Sequence, residues 1–258
     1  MHKRLRAIQG RPERAGLFID FDGTLSEIVP VPANARPLEG IPELLGELSR
    51  RYAVVAVVSG RSAAQLARWL GTDVEIWGTH GAERASEGGV QIAAEVVPYL
   101  GAMSEARAEA ERRLQELGID GSELEDKGAV LSLHYRRSPD RSAARDALLD
   151  LARSLSDVRG FVVGEGRLVV EIRPPVEVSK ALVVLRRAEE EDLRAAAFVG
   201  DDPVDLSAFD ALDALAERGL VTARVAVSSD EAPRELIGRA DVVVEGPAGV
   251  VELLRELV

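Results

Sequence analysis

The chain of 258 residues contains no cysteine. Neither disulfides nor thiolate metal sites can form, so the disulfide-framed secreted class is excluded. No apolar run approaches the roughly 20 residues that a membrane-spanning helix needs. The apolar stretch after the basic opening MHKRLRAIQGRPER is interrupted by Asp20 and is too short for a signal peptide's hydrophobic region. Positive charge is in deficit, with 32 basic against 44 acidic residues and a net charge of −12. That balance argues against nucleic acid or an anionic membrane as the main partner. Familiar motifs are missing too. Asp20-Phe21-Asp22 starts like a calcium loop, but Leu25 and Val31 stand where its glycine and closing glutamate belong. There is no phosphate-loop Gly-Lys-Ser/Thr, Gly164-Glu165-Gly166 lacks the third glycine of a dinucleotide fold, and Ser59 lacks the flanks of a nucleophile elbow. What remains is a soluble, cytoplasmic globular protein, 46% hydrophobic, large enough for one big domain or a core plus a smaller insert.

The stretch that is present and informative is LFIDFDGTL, residues 17–25. Leu17 to Ile19 and Phe21 suit a strand buried on both faces, yet two carboxylates, Asp20 and Asp22, interrupt its end. Carboxylates persist in such a place only with a cation or hydrogen-bond donors to compensate, so the pair suggests a site. Side chains two apart on extended backbone point the same way, which lets both acids reach one reaction centre. Gly23 supplies the turn.

Strand-like and helix-like segments then alternate, which implies a parallel sheet covered by helices. After a Pro-rich loop, Ile41, Leu44, Leu45 and Leu48 mark a helix. YAVVAVV is a second buried strand, running into Ser59-Gly60-Arg61-Ser62 and a helix with Leu66, Trp69 and Leu70. Such a turn is a natural anion seat. VEIW is a third strand, ending in Gly78-Thr79-His80-Gly81. The middle of the chain changes character. Met103, Ala106, Ala110, Leu114 and Leu117 stripe one helix, and Ala144, Leu148, Leu151 and Leu155 another, with strands around LEDKGAVLSLHYR between them. FVVGEGRLVVEIRP follows, with its hairpin turn expected at Gly164-Glu165-Gly166. The division expected is a core over 1–101 and 175–258 with an inserted α+β cap over 102–174.

In the resumed core, Gly200-Asp201-Asp202-Pro203 is a second acidic cluster. Asp202-Pro203 reads as an N-cap and first-turn proline, with Asp205 in the first turn, where acids suit the helix dipole. Capping does not account for Asp201 at the end of a buried strand, and Asp201 is the metal-ligand candidate. Asp205 is open between a first-turn acid and a support for the ligands. Lys180, after Ser179, opens another helix; a cation there is unfavourable unless an anion sits nearby.

As an ordered set, these segments resemble the four motifs of the haloacid dehalogenase superfamily: Asp20-x-Asp22-Gly23-Thr24, Ser59, a helix-opening lysine and Gly200-Asp201-Asp202. From about Leu17 onward the chain is further similar to trehalose-6-phosphate phosphatases, through VVSGR, GTHGAE, LEDKGAVLSLHYR, VEIRP and FVGDD. The resemblance implies a Rossmann-like doubly wound parallel sheet with the inserted cap, and a Mg²⁺-dependent phosphatase acting on a small sugar phosphate. Asp20 would be the nucleophile and Asp22 the acid and base. Asp20, the Asp22 carbonyl and Asp201 would hold Mg²⁺, with Asp202 and Asp205 behind them. Lys180, Ser59 and backbone N–H groups near Gly23 and Thr24 would hold the phosphate, with Gly60, Arg61 and Gly81 on the substrate side. Glu125, Lys127 and Glu171 would reach the sugar from the cap, with His80, His134 and Arg136 as further candidates. Two departures from the family pattern stand out: Pro203-Val204-Asp205-Leu206-Ser207 replaces a Thr-Asp-Glu-Asp run, and Ala181 replaces a glycine. Sucrose-6-phosphate and glucosylglycerol phosphate are alternative substrates, a phosphomutase and a non-catalytic sensor alternative classes. The oligomeric state is open, a monomer being the favoured reading.

Overall fold

The computed structural model describes residues 2–258 other than Pro30, Thr72, Glu87, Arg167 and Glu231, and the side chain of Pro32. The chain divides into two compact units, one made of Met1–Gln91 and Val178–Val258, the other of Ile92–Glu177. The sequence expectation set the insert at 102–174.

The first unit contains α1 (Lys3–Gln9), β1 (Ala15–Ile19), α2 (Ile41–Ser49), β2 (Val54–Val58), α3 (Ala63–Leu70), β3 (Glu75–Gly78), β4 (Glu83–Ser86) and β5 (Gly89–Ile92). The second contains α4 (Leu100–Leu117), β6 (Glu123–Asp126), β7 (Leu131–His134), α5 (Arg141–Arg159), β8 (Val162–Gly166) and β9 (Val169–Arg173). The first unit resumes with α6 (Lys180–Glu190), β10 (Ala195–Gly200), α7 (Leu206–Glu217), β11 (Val221–Ser228), α8 (Arg234–Arg239), β12 (Val242–Glu245) and α9 (Gly246–Leu257).

The described strands of the first unit form an eight-stranded sheet in the order β12-β11-β10-β1-β2-β3-β4-β5. From β12 to β3 neighbours run parallel, and β4 turns back antiparallel on β3. The central strands are apolar along their whole length because both faces are covered. Leu17, Ile19, Val55 and Val57 face one core with α2, α3 and α9, while Phe18, Val54, Ala56 and Val58 face the other with α6 and α7. Phe198 and Phe209 meet edge to face at 6.4 Å in that second core, so Phe198→Ala would cost about 3–5 kcal/mol. Because β1 lies between β10 and β2, Asp20 and Asp201 emerge side by side at the same end of the sheet, where open α/β sheets place their ligands.

The second unit has a four-stranded antiparallel sheet, order β6-β7-β9-β8. Leu131, Leu133, Val170 and Ile172 pack against Met103, Ala106 and Ala110 of α4 and Leu148, Leu151 and Leu155 of α5. Leu117, expected on the same stripe, is 47% exposed, being the last residue of α4 and beyond the packed cluster. Alternation along the strands turns Glu125, Ser132 and Glu171, which stand opposite one another in register, to the other face. The hairpin forms, but its strands continue through Gly166, which pairs with Val169. Glycine is tolerated inside a strand, so Gly164 marks no turn.

Candidate active site

The centre of the first unit's site is a buried ion cluster. Asp20, one residue past β1, is 4% exposed; Lys180, the first residue of α6, is 2% exposed. Lys180 Nζ donates to Asp20 Oδ1 at 2.5 Å and to Asp205 Oδ1 at 2.6 Å. Asp205 is fully buried, and its Oδ2 accepts the backbone N–H groups of Asp201 and Asp202, each at 3.0 Å. Asp202 caps the turn Pro203–Asp205 by accepting from Val204 N at 3.1 Å, so the capping reading of the sequence holds for Asp202. Asp205 does more than cap, because it joins the lysine to the Asp201 backbone.

Carboxylate oxygens of Asp20, Asp201 and Asp205 all lie within 4.8 Å of one another. The Lys180 ammonium reaches two of them, Asp20 and Asp205, so three carboxylates crowd together in a buried place. Burial, with Asp205 and Asp201 as like-charged neighbours, pushes the Asp20 carboxyl well above its ordinary range despite Lys180. Burial opposes the charge on Lys180, but Asp20 and Asp205 outweigh it and its pKa is raised. The lysine is therefore held as an ammonium, and a divalent cation would offset the crowding of the three carboxylates. An all-oxygen donor set of this kind fits a hard ion such as Mg²⁺. Gly23 lies against this cluster with φ +77°; a Cβ there would come within 2.1 Å of Asp201 Oδ2. Thr24 is fully buried and its hydroxyl has no hydrogen-bond partner among the described residues.

The N–H groups of Gly23 and Thr24, expected to face a phosphate, donate to Ser26 O at 2.8 Å and Phe21 O at 3.3 Å. The turn satisfies itself. Ser59 is buried and its hydroxyl oxygen accepts Arg61 N at 3.3 Å, which leaves the hydroxyl hydrogen available to donate. Thr79 and His80 adopt φ of +50° and +58°, costly for L residues and most of all for a β-branched one. Their N–H groups donate to Arg61 O at 2.8 Å and Ser59 O at 2.9 Å, so the strain is held by the turn it shapes. His80 packs over Gly60, where a Cβ would lie 2.8 Å from the ring. Gly81 (φ +107°) packs on the start of α6, a Cβ there meeting Val183 at 2.7 Å; its role is to let the loop approach Ser179 and Lys180.

Asp22 is turned away from the carboxylate cluster in its interactions. Its two oxygens accept a fork from Arg61, Nε to Oδ2 at 2.8 Å and Nη2 to Oδ1 at 2.7 Å. The guanidinium lies over the stacked rings of Phe21 and Trp69. Trp69 was legible only as a core residue of α3, since the contact joins segments distant in sequence.

In the second unit, Lys127 Nζ lies between Glu171 Oε1 at 3.4 Å and Glu125 Oε2 at 3.7 Å. Ser132 Oγ donates to Glu171 Oε1 at 3.0 Å, and His134 Nε2 is 2.8 Å from Glu125 Oε2. Ser132, fully buried, was not singled out from the sequence; its place opposite both glutamates depends on strand register. Arg136 follows β7 and makes no ion pair with this group.

An α/β core with two aspartates after its first strand, a lysine pairing the first, and a further aspartate after the neighbouring strand has the arrangement expected from the resemblance to the haloacid dehalogenase superfamily. Within that class the chain belongs to the trehalose-phosphatase family, whose model matches residues 18–236. It is 35% identical over 222 residues to a trehalose-phosphate phosphatase of Mycobacterium marinum, covering 79% of this chain and 54% of that one. It is 36% identical over 217 residues to an uncharacterized glycosyl hydrolase of Mycobacterium tuberculosis, covering 80% of this chain and 16% of that protein. The chain thus spans about half the length of the former and a sixth of the latter. In fold it matches the C-terminal domain of a C. albicans trehalose-6-phosphate phosphatase with a TM-score of 0.76 at 24% identity, covering 99% of this chain and 96% of that one. Among the described residues no helix is long and apolar enough to cross a membrane.

Proposed function

We propose that the chain hydrolyses trehalose 6-phosphate to trehalose and phosphate through an aspartyl-phosphate on Asp20. The observation that carries this reading is the pairing of buried Asp20 with Lys180 inside a buried cluster of three carboxylates. Asp20 attacks phosphorus as the ester bond breaks, and Asp22 delivers a proton to the departing sugar oxygen. Asp22 then takes a proton from the water that attacks the phospho-enzyme, and inorganic phosphate leaves. Lys180 orients Asp20 and favours its charged form against the effect of burial, and the Ser59 hydroxyl donates to a phosphoryl oxygen as charge develops. Asp20, Asp201 and the Asp22 carbonyl would hold Mg²⁺, whose charge offsets that of the phosphate and the carboxylates. Asp205 stands behind them, joining Lys180 to the backbone of Asp201 and Asp202.

Recognition of the sugar is assigned to Glu125, Lys127, His134 and Glu171. Carboxylates and an ammonium already oriented by one another suit a ring of hydroxyl groups, each of which can donate and accept.

A phosphate-release panel across trehalose, sucrose, glucose and glucosylglycerol phosphates, with and without Mg²⁺, tests the substrate. The expected result is a preference of at least about tenfold in kcat/KM for trehalose 6-phosphate, dependent on the ion. A stronger preference for another ester overturns it. Asp20→Asn should lower release by more than about 10⁴-fold on every substrate. It should also stabilise the ion-free fold by about 1–2 kcal/mol, because one of the crowded carboxylates is gone. Retained turnover in that variant would sink the nucleophile assignment.

A further inference from the structure

The geometry points to Arg61 as the positioning residue for Asp22 rather than a seat for the phosphate; the inference rests on the phosphatase reading above. An arginine on the turn after β2 is naturally taken for an anion contact, and the substrate's phosphate is the obvious anion. Its guanidinium, however, already has partners within the chain. Nε and Nη2 hold the two oxygens of Asp22, and Nη1 donates to Gln65 Oε1 at 3.3 Å. The Nε–Nη2 edge is thus taken by Asp22 and Nη1 is shared with Gln65, so the group is committed to a carboxylate of its own chain before any phosphate arrives.

The two partners of this fork are unequally held. The Arg61 side chain is 9% exposed, that of Asp22 42%. The guanidinium carbon lies 5.2 Å from the Trp69 ring centre and 5.6 Å from that of Phe21, over rings that themselves stack at 5.4 Å. Stacking fixes the plane of the guanidinium, and the fork then fixes the plane of the carboxylate. The backbone of Arg61 is tied as well, its N–H to Ser59 Oγ and its carbonyl to Thr79 N. Arg61 is the fixed member and Asp22 the movable one.

Half-exposed Asp22, left to itself, would sample several rotamers, and a proton donor must sit within hydrogen-bond reach of its target. Arg61 restricts that sampling to one arrangement from which Asp22 turns to the leaving oxygen. The effect of Arg61 then depends on how much the leaving group needs a proton. A sugar alkoxide needs one badly; a nitrophenolate leaves without help.

The test compares single-turnover alcohol release from trehalose 6-phosphate and from p-nitrophenyl phosphate in the wild type, Arg61→Ala, Arg61→Lys, Asp22→Asn and the Arg61→Ala/Asp22→Asn double variant. Arg61→Ala should slow release from the sugar ester about 10²-fold, at least tenfold more than from the aryl ester. Its KM for either ester and its inhibition by inorganic phosphate should change less than about threefold. Arg61→Lys, which keeps the charge without the fork, should fall between. On the Asp22→Asn background, Arg61→Ala should add less than about threefold, because both act through one proton transfer. Trp69→Leu, which loosens the stack and keeps both partners, should reproduce the ester-selective loss at smaller size and covers the case in which Arg61→Ala does not fold. Equal loss on both esters with weakened phosphate inhibition would make Arg61 a phosphate contact and overturn the inference; additive losses in the double variant would do the same. An active Asp20→Asn enzyme would instead fail the underlying phosphatase reading, so the two failures are told apart.

Discussion

The charged groups of the two units are built on opposite plans. In the first unit, Asp20, Asp205 and Lys180 are at most 4% exposed, two carboxylates on one ammonium with no solvent to relieve them. In the second, Lys127 stands between Glu125 and Glu171, with Ser132 and His134 completing the network on a part-exposed sheet face. The first arrangement is costly without an incoming cation, and its side chains have little freedom to rearrange. The second is satisfied as it stands, yet every member can exchange a partner for a hydroxyl. A rigid, buried cluster suits phosphoryl chemistry shared by many substrates. A part-exposed, exchangeable one suits the choice of substrate.

Breaking each cluster should therefore give a different signature. The largest effect is expected from Lys180→Met, which leaves two carboxylates buried without their cation. Activity should vanish and the fold should lose about 3–5 kcal/mol in chemical denaturation without divalent ions. A loss below 1 kcal/mol would mean that the cluster is not as closed as its burial implies. Next comes Glu125→Ala. It should lower kcat/KM for trehalose 6-phosphate about 10²-fold while changing p-nitrophenyl phosphate turnover less than about threefold, with a stability change within about 1 kcal/mol. Equal loss on both substrates would make Glu125 a structural residue and remove the contrast.

The smallest effect sharpens the comparison from outside both sites. Asp241 belongs to an ion-pair network with Arg224 and Arg4. Burial pushes its carboxyl up, but hydrogen bonds and charge from Arg224 prevail and hold it below the usual range. Its folded pKa is thus depressed, so the stability it contributes is present above the unfolded value near 4 and lost as pH falls through the folded one. Asp241→Asn should cost under about 1 kcal/mol at pH 7 and nothing at pH 2, with activity unaltered. A pH-independent cost would point to lost packing instead.

Much of this was legible in the sequence where a charge interrupts an apolar run. Asp20 and Asp201 betray themselves because they end strands that are otherwise Leu, Ile, Val, Phe and Ala. Asp205 was half legible: its position in a first turn was plain, but its bond to Lys180 spans 25 residues and no local pattern carries it. Arg61 was found, but its bond to Asp22 was not, because that partner lies 39 residues away on another turn. The strands β4 and β5 were missed altogether. They are short, β4 half-buried and β5 largely exposed, and form at the sheet edge without the continuous apolar run that marks the central strands. The turn between β8 and β9 was misplaced because glycine was taken as punctuation where the ladder runs through it.

The insertion of β10 between β1 and β11 also has a consequence for how the protein is made. As the chain leaves the ribosome, β1 can pair with β2 early, but its other edge stays open until residues 195–200 have emerged. Domains fold as units during synthesis, and an unpaired apolar edge invites pairing with other chains. Asp20 and Asp22, set just past that strand, add charge beside the vulnerable edge through this interval. Only the last third of the chain supplies Lys180 and Asp201, so closing the edge and assembling the reactive centre are one folding event.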